Sequence, residues 1–494
     1  MKTHTRFLDV TLRDGHQSLA ATRMTTDQIM RVLPMVNDIG YPILELWGGA
    51  VLDSCIRFLN EDPWERLELF RETLGGPTKI RALLRGQNLF GYQPVADDLV
   101  TAFVRQSVES GVGMMRIFDA LNDPRNLQTA MLATKAFGGK AEGALSYTTS
   151  PVHTTDYFVD FAMQMVDMGM DAIAIKDMAG LLYPTEALDL CQKLRAKTTL
   201  PITLHSHTTT GVATLNAIIA MYTGIDYVDT AITPFAGGTS HPPIEVMIVF
   251  AEEMGIDHGL DKPLILRAQA ELFKIAEELQ DSIPNYGKYY KPVTFEDVDR
   301  RKVNDILKLV SKLDPPAIEQ AIPMVRDLLA GLHYPPFDDK IFEAQVPGGM
   351  LSNLHKQLKG MNQLHLMDQI MEEIPAVRRD AGYVPLVTPT SQIVGSQAAF
   401  NVMAGNQYQI VSDEYKMILK GEFGRTPAPV NEEILKRVMG PNDKPLQYRV
   451  ASYLMPVLED EYNEPFIRSR KDLLLYLAFK QAATTFLKKR YGVE

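Results

Sequence analysis

Cysteine is almost missing from this chain of 494 residues, which contains only Cys55 and Cys191. Two thiols are too few for a disulfide framework or a thiolate metal site, and they are ordinary in a reducing compartment. An excess of basic residues is missing as well, because 61 acidic side chains outnumber 50 basic ones and give a formal charge of -11. A net negative charge does not favour binding to nucleic acid or to an anionic membrane, both of which attract basic proteins.

Long apolar runs are also absent from the sequence. No stretch of roughly 18 uninterrupted apolar residues could span a bilayer, and the first residues lack the apolar run of a signal peptide. Gly and Pro, at 33 and 30 residues, are too few for a disordered or fibrous chain. We therefore expect a folded cytoplasmic protein without a nucleic-acid partner, and its length predicts two or three domains.

The first 240 residues show a regular alternation, in which each of eight short β-rich runs is followed by a segment of helical periodicity. After the first run, Thr25 and Gln28 can form a capping box at the start of a helix. Eight such repeats predict a (β/α)8 TIM barrel, for which about 250 residues is typical, with a doubly wound open sheet as the competing fold. The eight runs are RFLDVTLRD, ILELWGG, KIRALLRG, MMRIFDALN, KAEGALSYT, AIAIKDMAG, PITLHSHTT and YVDTAITPF.

The β/α rhythm stops after about residue 260, where helical segments punctuated by paired prolines take over. We therefore predict the α/β class, with a TIM barrel followed by a mostly helical C-terminal domain. The predicted boundaries are 1–292 for the barrel domain, 293–346 for a helical connecting segment and 347–494 for the C-terminal domain.

Seven of the eight runs carry an apolar stretch that is followed by a polar or charged group. In a barrel the carboxyl ends of the strands meet at one mouth, which is where enzymes of this fold carry out their chemistry. The groups that the predicted mouth collects are Asp14, Arg85, Asn122, Tyr147, Lys176, Asp177, His205, His207 and Thr230.

His205 and His207 are two residues apart on the seventh run, so their imidazoles point to the same face. Asp14 ends the first run, and the first, seventh and eighth strands of a closed barrel are near neighbours. Two imidazoles and a carboxylate suit a borderline divalent metal such as Zn, Mn, Co or Fe, with open positions for substrate or water. The plainer interpretation is a pair of histidines satisfied by hydrogen bonds; the strand-end carboxylate favours the metal.

Three further residues carry chemistry at the predicted mouth. Lys176 follows an apolar strand, and burial there would favour its neutral amine, as a Schiff-base nucleophile or as a carbamate ligand formed with CO2. The alternative is a charged Lys176 in an ion pair with Asp177 or with another carboxylate at the mouth. Arg85 is suited to anchor a small carboxylate in a bidentate fork, or to form a structural salt bridge. Thr239, in the glycine-rich segment after the eighth run, presents a hydroxyl.

Several motifs together resemble a known family. DVTLRDGHQS and LHSHTTTG resemble the metal-dependent barrel superfamily of isopropylmalate synthase, hydroxymethylglutaryl-CoA lyase and the biotin-dependent carboxyltransferases. Most of the chain is similar to the carboxyltransferase component that is shared by pyruvate carboxylase, oxaloacetate decarboxylase alpha subunit and the pyruvate-binding subunit of transcarboxylase. Its motifs here are RDGHQSLAATRM, WGGAVLDSCIRFLNEDPWERL, LLRGQNLFGY, RIFDALND, AIKDMAG, PGGMLSNL and PLVTPTSQIVG.

The resemblance implies a metal centre and a substrate anchor. Asp14, His205 and His207 match metal ligands, and Lys176 matches a lysine that becomes carboxylated and completes the site. Arg85 matches the arginine that holds the carboxylate of pyruvate or oxaloacetate.

The resemblance also implies roles for residues around the reacting groups. Gln17 matches a glutamine that contacts the substrate, and Tyr92, Arg13 and Asp53 match a cluster that supports the biotin pocket. Thr239 matches the threonine that passes a proton between biotin and the enol of pyruvate.

The implied reaction is the reversible transfer of CO2 between carboxybiotin and pyruvate, which gives oxaloacetate, with a divalent Zn, Co or Mn ion at the mouth. The chain has no Ala-Met-Lys-Met biotinylation signature and no glycine-rich ATP-binding domain before the barrel. We therefore expect biotin to arrive on a separate carrier protein. The resemblance further implies a homodimer, with a biotin carboxylase or a membrane decarboxylase subunit as possible additional partners.

Two other functions stay open at this point. The RDG and HxH motifs are shared across the superfamily, so the alternative is a metal-dependent enzyme that condenses or cleaves carbon–carbon bonds of a 2-oxo acid. A scaffold subunit without catalysis is poorly motivated, because every expected residue of the mouth is present.

Overall fold

Eight parallel strands close into a barrel in this computed structural model. The residues that the structure describes are 4–75, 80–284, 286–337, 342, 354, 358–360, 362–440, 444–458 and 462–493. The strands are β1 Arg6–Asp9, β2 Leu44–Gly48, β3 Ile80–Leu84, β4 Met114–Phe118, β5 Lys140–Ser146, β6 Ala172–Asp177, β7 Ile202–Ser206 and β8 Tyr227–Thr230. Each strand pairs with its neighbour in sequence, and β8 pairs with β1. The predicted closed barrel is therefore confirmed, and the open sheet is excluded.

Helices surround the barrel and continue beyond it. Those within the β/α repeats are His16–Leu19, Thr26–Asp38, Val51–Ser54, Pro63–Leu74, Asp97–Ser110, Gln128–Ala136, Thr155–Met168, Pro184–Lys197, Ala213–Thr223 and Ile244–Glu253. Those that follow are Lys262–Glu278, Arg300–Val310, Pro315–Gly331, Met367–Asp380, Thr390–Ala404, Asp413–Leu419, Glu432–Val438, Arg470–Phe479 and Gln481–Tyr491. The mostly helical character of the C-terminal part is confirmed over these residues.

The helix Thr26–Asp38 shows how local sequence sets these elements. The Thr25 hydroxyl accepts the Gln28 N–H at 3.2 Å, and the Gln28 side chain accepts the Thr25 N–H at 2.9 Å, which is the predicted capping box. The helix then buries one apolar face against the barrel, because its apolar residues recur at helical spacing. These buried residues are Ile29, Val32, Leu33 and Val36.

The C-terminal part packs in two ways. Residues between 354 and 434 form a second hydrophobic core, which Leu121 of the barrel also joins, whereas the last two helices, Arg470–Phe479 and Gln481–Tyr491, join the large core of the barrel. Arg490 on the second of these helices pairs with Asp62 and Glu65 at the start of a barrel helix. The end of the chain is therefore anchored on the barrel by apolar and ionic contacts together.

One apolar side chain from the C-terminal part enters the barrel mouth. Val387 is 3% exposed and belongs to a small cluster with side chains from the barrel strands. Those side chains are Leu83, Phe118, Ala144 and Ala174, with Ala120 and Met178 beside them. The segment around Val387, part of the PLVTPTSQIVG motif, therefore lines the approach to the mouth.

The predicted boundary between 346 and 347 lies outside the described residues, as does most of the PGGMLSNL motif. The division into 1–292, 293–346 and 347–494 stays a prediction. No helix among the described residues is both long enough and apolar enough to cross a membrane.

Candidate active site at the barrel mouth

Four side chains that can bind a metal meet at the carboxyl end of the barrel: Asp14, His205, His207 and His241. One ligand atom from each lies within 4.8 Å of all the others, and all four residues are buried. The Asp14 Oδ2 atom is 3.2 Å from His205 Nε2, 3.6 Å from His207 Nε2 and 3.8 Å from His241 Nε2. Asp14, His205 and His207, three of the four residues predicted as metal ligands, are thus brought together, and a third histidine joins them.

Asp14 lies in this cluster because of a local turn after the first strand, which its position in the sequence does not suggest. The first strand ends at Asp9, so the expected strand-end position is wrong. Asp14 lies in a single π-helical turn, Thr11–Gly15. Turns of this type are rare and occur frequently at functional sites. The turn bends the chain back over the barrel end and aims the carboxylate inward.

Hydrogen bonds at the far side of each ring turn two Nε2 atoms toward Asp14. His207 Nδ1 donates to the Thr239 carbonyl at 2.7 Å, and the buried Nε2 of His207 has no hydrogen-bond partner among the described residues. His205 Nδ1 lies 2.7 Å from Asp229 Oδ2. An ionised carboxylate only accepts, so Nδ1 of His205 carries the hydrogen and Nε2 presents a lone pair.

Electrostatics keep these groups in the forms that bind a cation. Burial, reinforced by Lys176, lowers the pKa of His205 to about 4, and burial holds the pKa of His241 well below its usual value. Burial alone would raise the pKa of Asp14, but the Arg13 guanidinium and the imidazoles hold it well below its ordinary value. His205 and His241 are therefore neutral near pH 7, and the carboxylate is ionised.

A charged layer fills the barrel interior next to the histidines. Arg81 bonds Glu45 at 2.8 Å and Asp229 at 2.7 Å, and Arg116 bonds Glu142 and Asp229, both at 2.5 Å. All five side chains are buried. Asp229 connects this layer to the candidate metal site, since the same carboxylate accepts from His205.

Lys176 lies at the end of β6, as predicted, and is 1% exposed. Its Nζ is 2.9 Å from His205 Nε2 and 4.0 Å from Asp14 Oδ2. Of the predicted ion pairs, the one with Asp177 does not form, because that carboxylate accepts instead from the Ser206 hydroxyl and from two backbone N–H groups. The alternative, a pair with another carboxylate at the mouth, is present as the 4.0 Å contact with Asp14. Burial lowers the pKa of Lys176 to about 8, which favours a neutral, nucleophilic amine.

Arg85 follows β3 at the mouth. Its Nη1 donates to the carbonyl groups of Phe90, at 3.2 Å, and Gly91, and the guanidinium lies 5.5 Å from the ring centre of Tyr92. Among the described residues, no carboxylate lies within 4.0 Å of the Arg85 guanidinium, so the alternative of a structural salt bridge is not observed there. Arg85 is therefore held in position by neutral acceptors, with its charge available to a ligand.

The other predicted residues lie around this centre with varied contacts. Arg13 is fully buried and bonds Asp14 at 2.9 Å as well as Glu45, so its observed contacts orient a candidate metal ligand. Gln17 accepts the Ala50 N–H at 3.0 Å. Their predicted roles in binding substrate or biotin stay predictions.

Three more predicted residues line the entrance. Tyr92 is 49% exposed, and Asp53 accepts from Arg57 at 2.6 Å. The Thr239 hydroxyl donates to the Ser18 carbonyl at 3.0 Å, while the carbonyl of Thr239 accepts from His207. Thr239 is thus tied by its backbone to the candidate metal site, and its role in proton transfer stays a prediction.

Sequence reasoning missed His241 and Asp229. His241 ends the GGTSH segment after the eighth run, and a third histidine at this end of the barrel was a readable signal. Asp229 is the third residue of β8, between Val228 and Thr230, and its carboxylate lies in the barrel interior against Arg81 and Arg116. Both lie on or beyond the strand that closes the barrel, which places them next to His205 in space.

The donor set fits a divalent transition metal. Neutral imidazoles and an ionised carboxylate are ligands for zinc and similar metals, and the unpartnered Nε2 of His207 is a buried lone pair that only a cation or a proton can satisfy. Asp229, behind His205, supplies the outer carboxylate that commonly orients a metal-bound histidine.

Comparisons with known proteins identify the class. A family model described as "Conserved carboxylase domain" matches residues 341–494, and one described as HMGL-like matches residues 130–272. A pyruvate carboxylase subunit of Methanocaldococcus jannaschii is 40% identical over 99% of this chain and 78% of its own length. The methylmalonyl-CoA carboxyltransferase 5S subunit of Propionibacterium freudenreichii subsp. shermanii is 38% identical over 98% of this chain and 87% of its own.

A solved structure agrees with the sequence relatives. The carboxyl transferase domain from Rhizobium etli pyruvate carboxylase, solved with pyruvate, superposes with a TM-score of 0.78 at 29% identity. The match covers 99% of this chain and 78% of that one. The fold and site thus define a carboxyltransferase barrel, and the chain belongs to the biotin-dependent carboxyltransferase family. Within that family it is of the pyruvate carboxylase and transcarboxylase type.

Proposed function

We propose that this chain is the carboxyltransferase subunit of a multi-subunit biotin-dependent enzyme, which moves CO2 reversibly between carboxybiotin on a separate carrier and pyruvate. The product in the carboxylating direction is oxaloacetate. The observation that carries the proposal is the buried Lys176 amine 2.9 Å from His205, beside the cluster of Asp14 and histidines. The names of the similar proteins support the choice of biotin and pyruvate as reactants.

Arg85 holds the carboxylate of the 2-oxo acid in this proposal. Its guanidinium is fixed by two carbonyl groups and faces no carboxylate of the described chain, so a bidentate ion pair with a substrate satisfies it. Burial lowers the pKa of Arg85, but an arginine remains charged at any physiological pH. The methyl carbon of bound pyruvate is then presented to the reacting groups.

Lys176 becomes a carbamate by reaction with dissolved CO2. The neutral amine attacks the carbon of CO2, a nitrogen–carbon bond forms, one carbon–oxygen π bond opens to give an oxyanion, and the proton that leaves the nitrogen passes to water. Burial, which lowers the pKa of Lys176 to about 8, supplies the neutral amine that this step requires. The carbamate would supply an oxygen ligand beside Asp14 and the histidines.

Thr239 moves the proton. The nitrogen–carbon bond of carboxybiotin breaks to release CO2, the Thr239 hydroxyl gives its proton to the ureido nitrogen, and it takes one from the methyl group of pyruvate. The enolate carbon then forms the new bond to CO2. A divalent metal held by Asp14, His205, His207 and the carbamate of Lys176 supplies positive charge for the enolate oxygen. Zn, Co and Mn all suit these ligands.

The remaining parts of the proposal concern assembly. A biotin carboxyl carrier protein delivers the carboxyl group, with a biotin carboxylase or a membrane decarboxylase subunit completing the enzyme, and two copies of the chain form a homodimer. Gln17 contacts the substrate, while Arg13, Asp53 and Tyr92 support the biotin pocket. A cytoplasmic location is supported by Cys55 and Cys191, which are both buried and unpaired.

The test is biotin-dependent decarboxylation of oxaloacetate by the purified chain, measured as the rate with free biotin minus the rate without it. His207→Ala and Lys176→Ala should abolish the difference, because each removes a group from the reacting centre. Lys193→Ala is the matched control, since Lys193 pairs with Asp156 and Asp189 on the surface. Full activity in the two site variants would refute the proposal.

A second function has one observation in its favour, the HMGL-like match over residues 130–272. It is condensation or cleavage of a carbon–carbon bond by an enzyme that acts on a 2-oxo acid with an acyl-CoA. Incubation with acetyl-CoA and a 2-oxo acid separates the two functions. Release of free CoA that depends on His207 would select the second function, and absence of release would leave the carboxyltransferase.

A further inference from the structure

His241 is a fully buried histidine whose neighbours are other potential metal ligands. It lies beyond β8, and its Nε2 is 3.2 Å from His205 Nε2 and 3.8 Å from Asp14 Oδ2. Its ring centre is 4.4 Å from that of His205 and 4.3 Å from that of His207. A histidine with a purely structural role has no reason to bring this edge of its ring against two other imidazoles and a carboxylate.

The spacing of the donor atoms has the scale of one coordination sphere. With bonds of about 2.0–2.1 Å, neighbouring ligand atoms of a tetrahedral zinc-type site are roughly 3.3–3.4 Å apart. The Nε2 atoms of His205 and His241 are 3.2 Å apart, and Asp14 Oδ2 lies 3.2, 3.6 and 3.8 Å from the three imidazoles. Four of the six distances between donors thus lie between 3.2 and 3.8 Å, and all six lie within 4.8 Å, which is close to the spacing of ligands around one ion.

The hydrogen bonds behind the rings leave the inner nitrogen atoms without hydrogens. His205 donates through Nδ1 to Asp229, so its Nε2 is a lone pair. The Ser240 hydroxyl donates to the Phe235 carbonyl at 2.7 Å, so its oxygen can accept from His241 Nδ1, which is 3.4 Å away. In that tautomer of His241, two lone pairs face each other at 3.2 Å, an arrangement that a cation between them stabilises; in the other tautomer, His241 Nε2 donates a hydrogen bond to His205 Nε2.

Lys176 lies against the same group of donors. Its Nζ is 2.9 Å from His205 Nε2 and 4.0 Å from Asp14 Oδ2. A site in which Lys176 must supply an essential ligand would bind metal only after carboxylation. A site with four other donors has no such requirement.

We propose that His241 is a direct ligand, so that Asp14, His205, His207 and His241 hold a divalent zinc-type metal before Lys176 reacts with CO2. The carbamate then adds to a metal site that already exists instead of completing it. This inference rests on the proposed function for the presence of a metal at the mouth. It adds a ligand that the resemblance to the family does not imply.

The experiment measures metal binding by the full-length chain after removal of metal with a chelator. Co²⁺ is titrated in, because its visible absorption changes with the number and type of ligands, and the affinity is obtained by competition with a chromophoric chelator. The variants are His241→Gln and Lys176→Met, with His153→Gln as the matched control. His153 is also a buried histidine, but it pairs with Ser150 away from the cluster.

We expect one Co²⁺ per chain in the wild type. His241→Gln should weaken binding by more than the roughly 10- to 100-fold typical for loss of an outer-sphere partner, and should change the absorption spectrum. Lys176→Met and His153→Gln should bind within about threefold of the wild type. Circular dichroism of the metal-free chains checks that every variant is folded, and His241→Asn provides a second substitution should His241→Gln be unstable.

Three outcomes would overturn the inference. Wild-type affinity and an unchanged spectrum in His241→Gln would show that His241 is not a ligand. If His207→Ala still lost both metal and activity, the proposed function would hold although this inference had failed. Loss of metal in Lys176→Met as severe as in His241→Gln would show that the carbamate completes the site. A wild-type chain that binds no metal would overturn the inference and the metal-dependent part of the proposed function together.

Discussion

Asp229→Asn is the perturbation that best tests how the barrel interior controls the candidate metal site. The carboxylate touches His205 Nδ1 at 2.7 Å, Arg81 Nη2 at 2.7 Å and Arg116 Nη1 at 2.5 Å. Asparagine has nearly the same shape but is neutral and has only one oxygen. It cannot accept from His205 and from both arginines with the same geometry.

The amide can orient itself in two ways, and both are costly. If its NH2 group faces His205, the ring must accept at Nδ1, so Nε2 carries the hydrogen and no longer binds metal. If its oxygen faces His205, the NH2 group faces an arginine, and two N–H donors then point at each other without an acceptor. We expect metal affinity to fall about 10- to 100-fold, as for other outer-sphere partners. The free energy of unfolding should fall by about 3–5 kcal/mol, because two buried arginines lose a partner.

The assay is Co²⁺ affinity by chelator competition, together with denaturant unfolding of the metal-free chain. Glu245→Gln is the control, because Glu245 is also a buried carboxylate but accepts from Thr233 and Gln269. The control should lose stability without losing metal affinity. An Asp229→Asn chain with wild-type metal affinity would refute the reasoning, since His205 would then keep its tautomer without the carboxylate.

Three further outcomes follow from the structure. Arg85→Lys should raise the KM for pyruvate about tenfold or more and lower kcat less, because a charge-assisted hydrogen bond contributes about 1.5–3 kcal/mol. Steady-state kinetics measure both constants, and an unchanged KM would contradict the anchoring role. Thr239→Ala should lower kcat roughly 100-fold or more, and Thr239→Ser should restore most of it, whereas equal rates in both variants would exclude proton transfer by the hydroxyl. Val387→Ala should lower the free energy of unfolding by about 1–3 kcal/mol in a denaturant titration, and no change would mean that the packing at the mouth contributes nothing.

Much of the fold and part of the site could be predicted from local sequence. The period of strand and helix is a local property, so eight repeats were countable and closure followed from their number. Lys176, His205 and Arg85 lie at the ends of countable strands, so their meeting at one mouth followed as well. For these residues, position along the chain nearly determines position in space.

The remaining features depend on contacts between distant parts of the chain. Asp14 reaches the mouth through a π-helical turn, for which the sequence offers no periodic signal. His241 is identified as a neighbour of Asp14 only when the barrel is closed, because 227 residues separate them along the chain, from 14 to 241. The partner of Arg13 was missed for the same reason, since Glu45 lies on another strand. Burial of the last two helices against the barrel is likewise a tertiary contact that apolar periodicity alone does not assign.

The charges around the metal site explain why a reactive lysine belongs beside it. Arg81 and Arg116, with Arg13, face Glu45, Glu142 and Asp229, so three cations and three carboxylates balance within the layer. Asp14 is then the only net negative group among the four candidate ligands, and a divalent cation held by it and three neutral imidazoles leaves one positive charge. The proposed carboxylation of Lys176 would convert a potential cation into an anion and would cancel that charge. The anion would come from CO2, the same small molecule that the proposed reaction transfers.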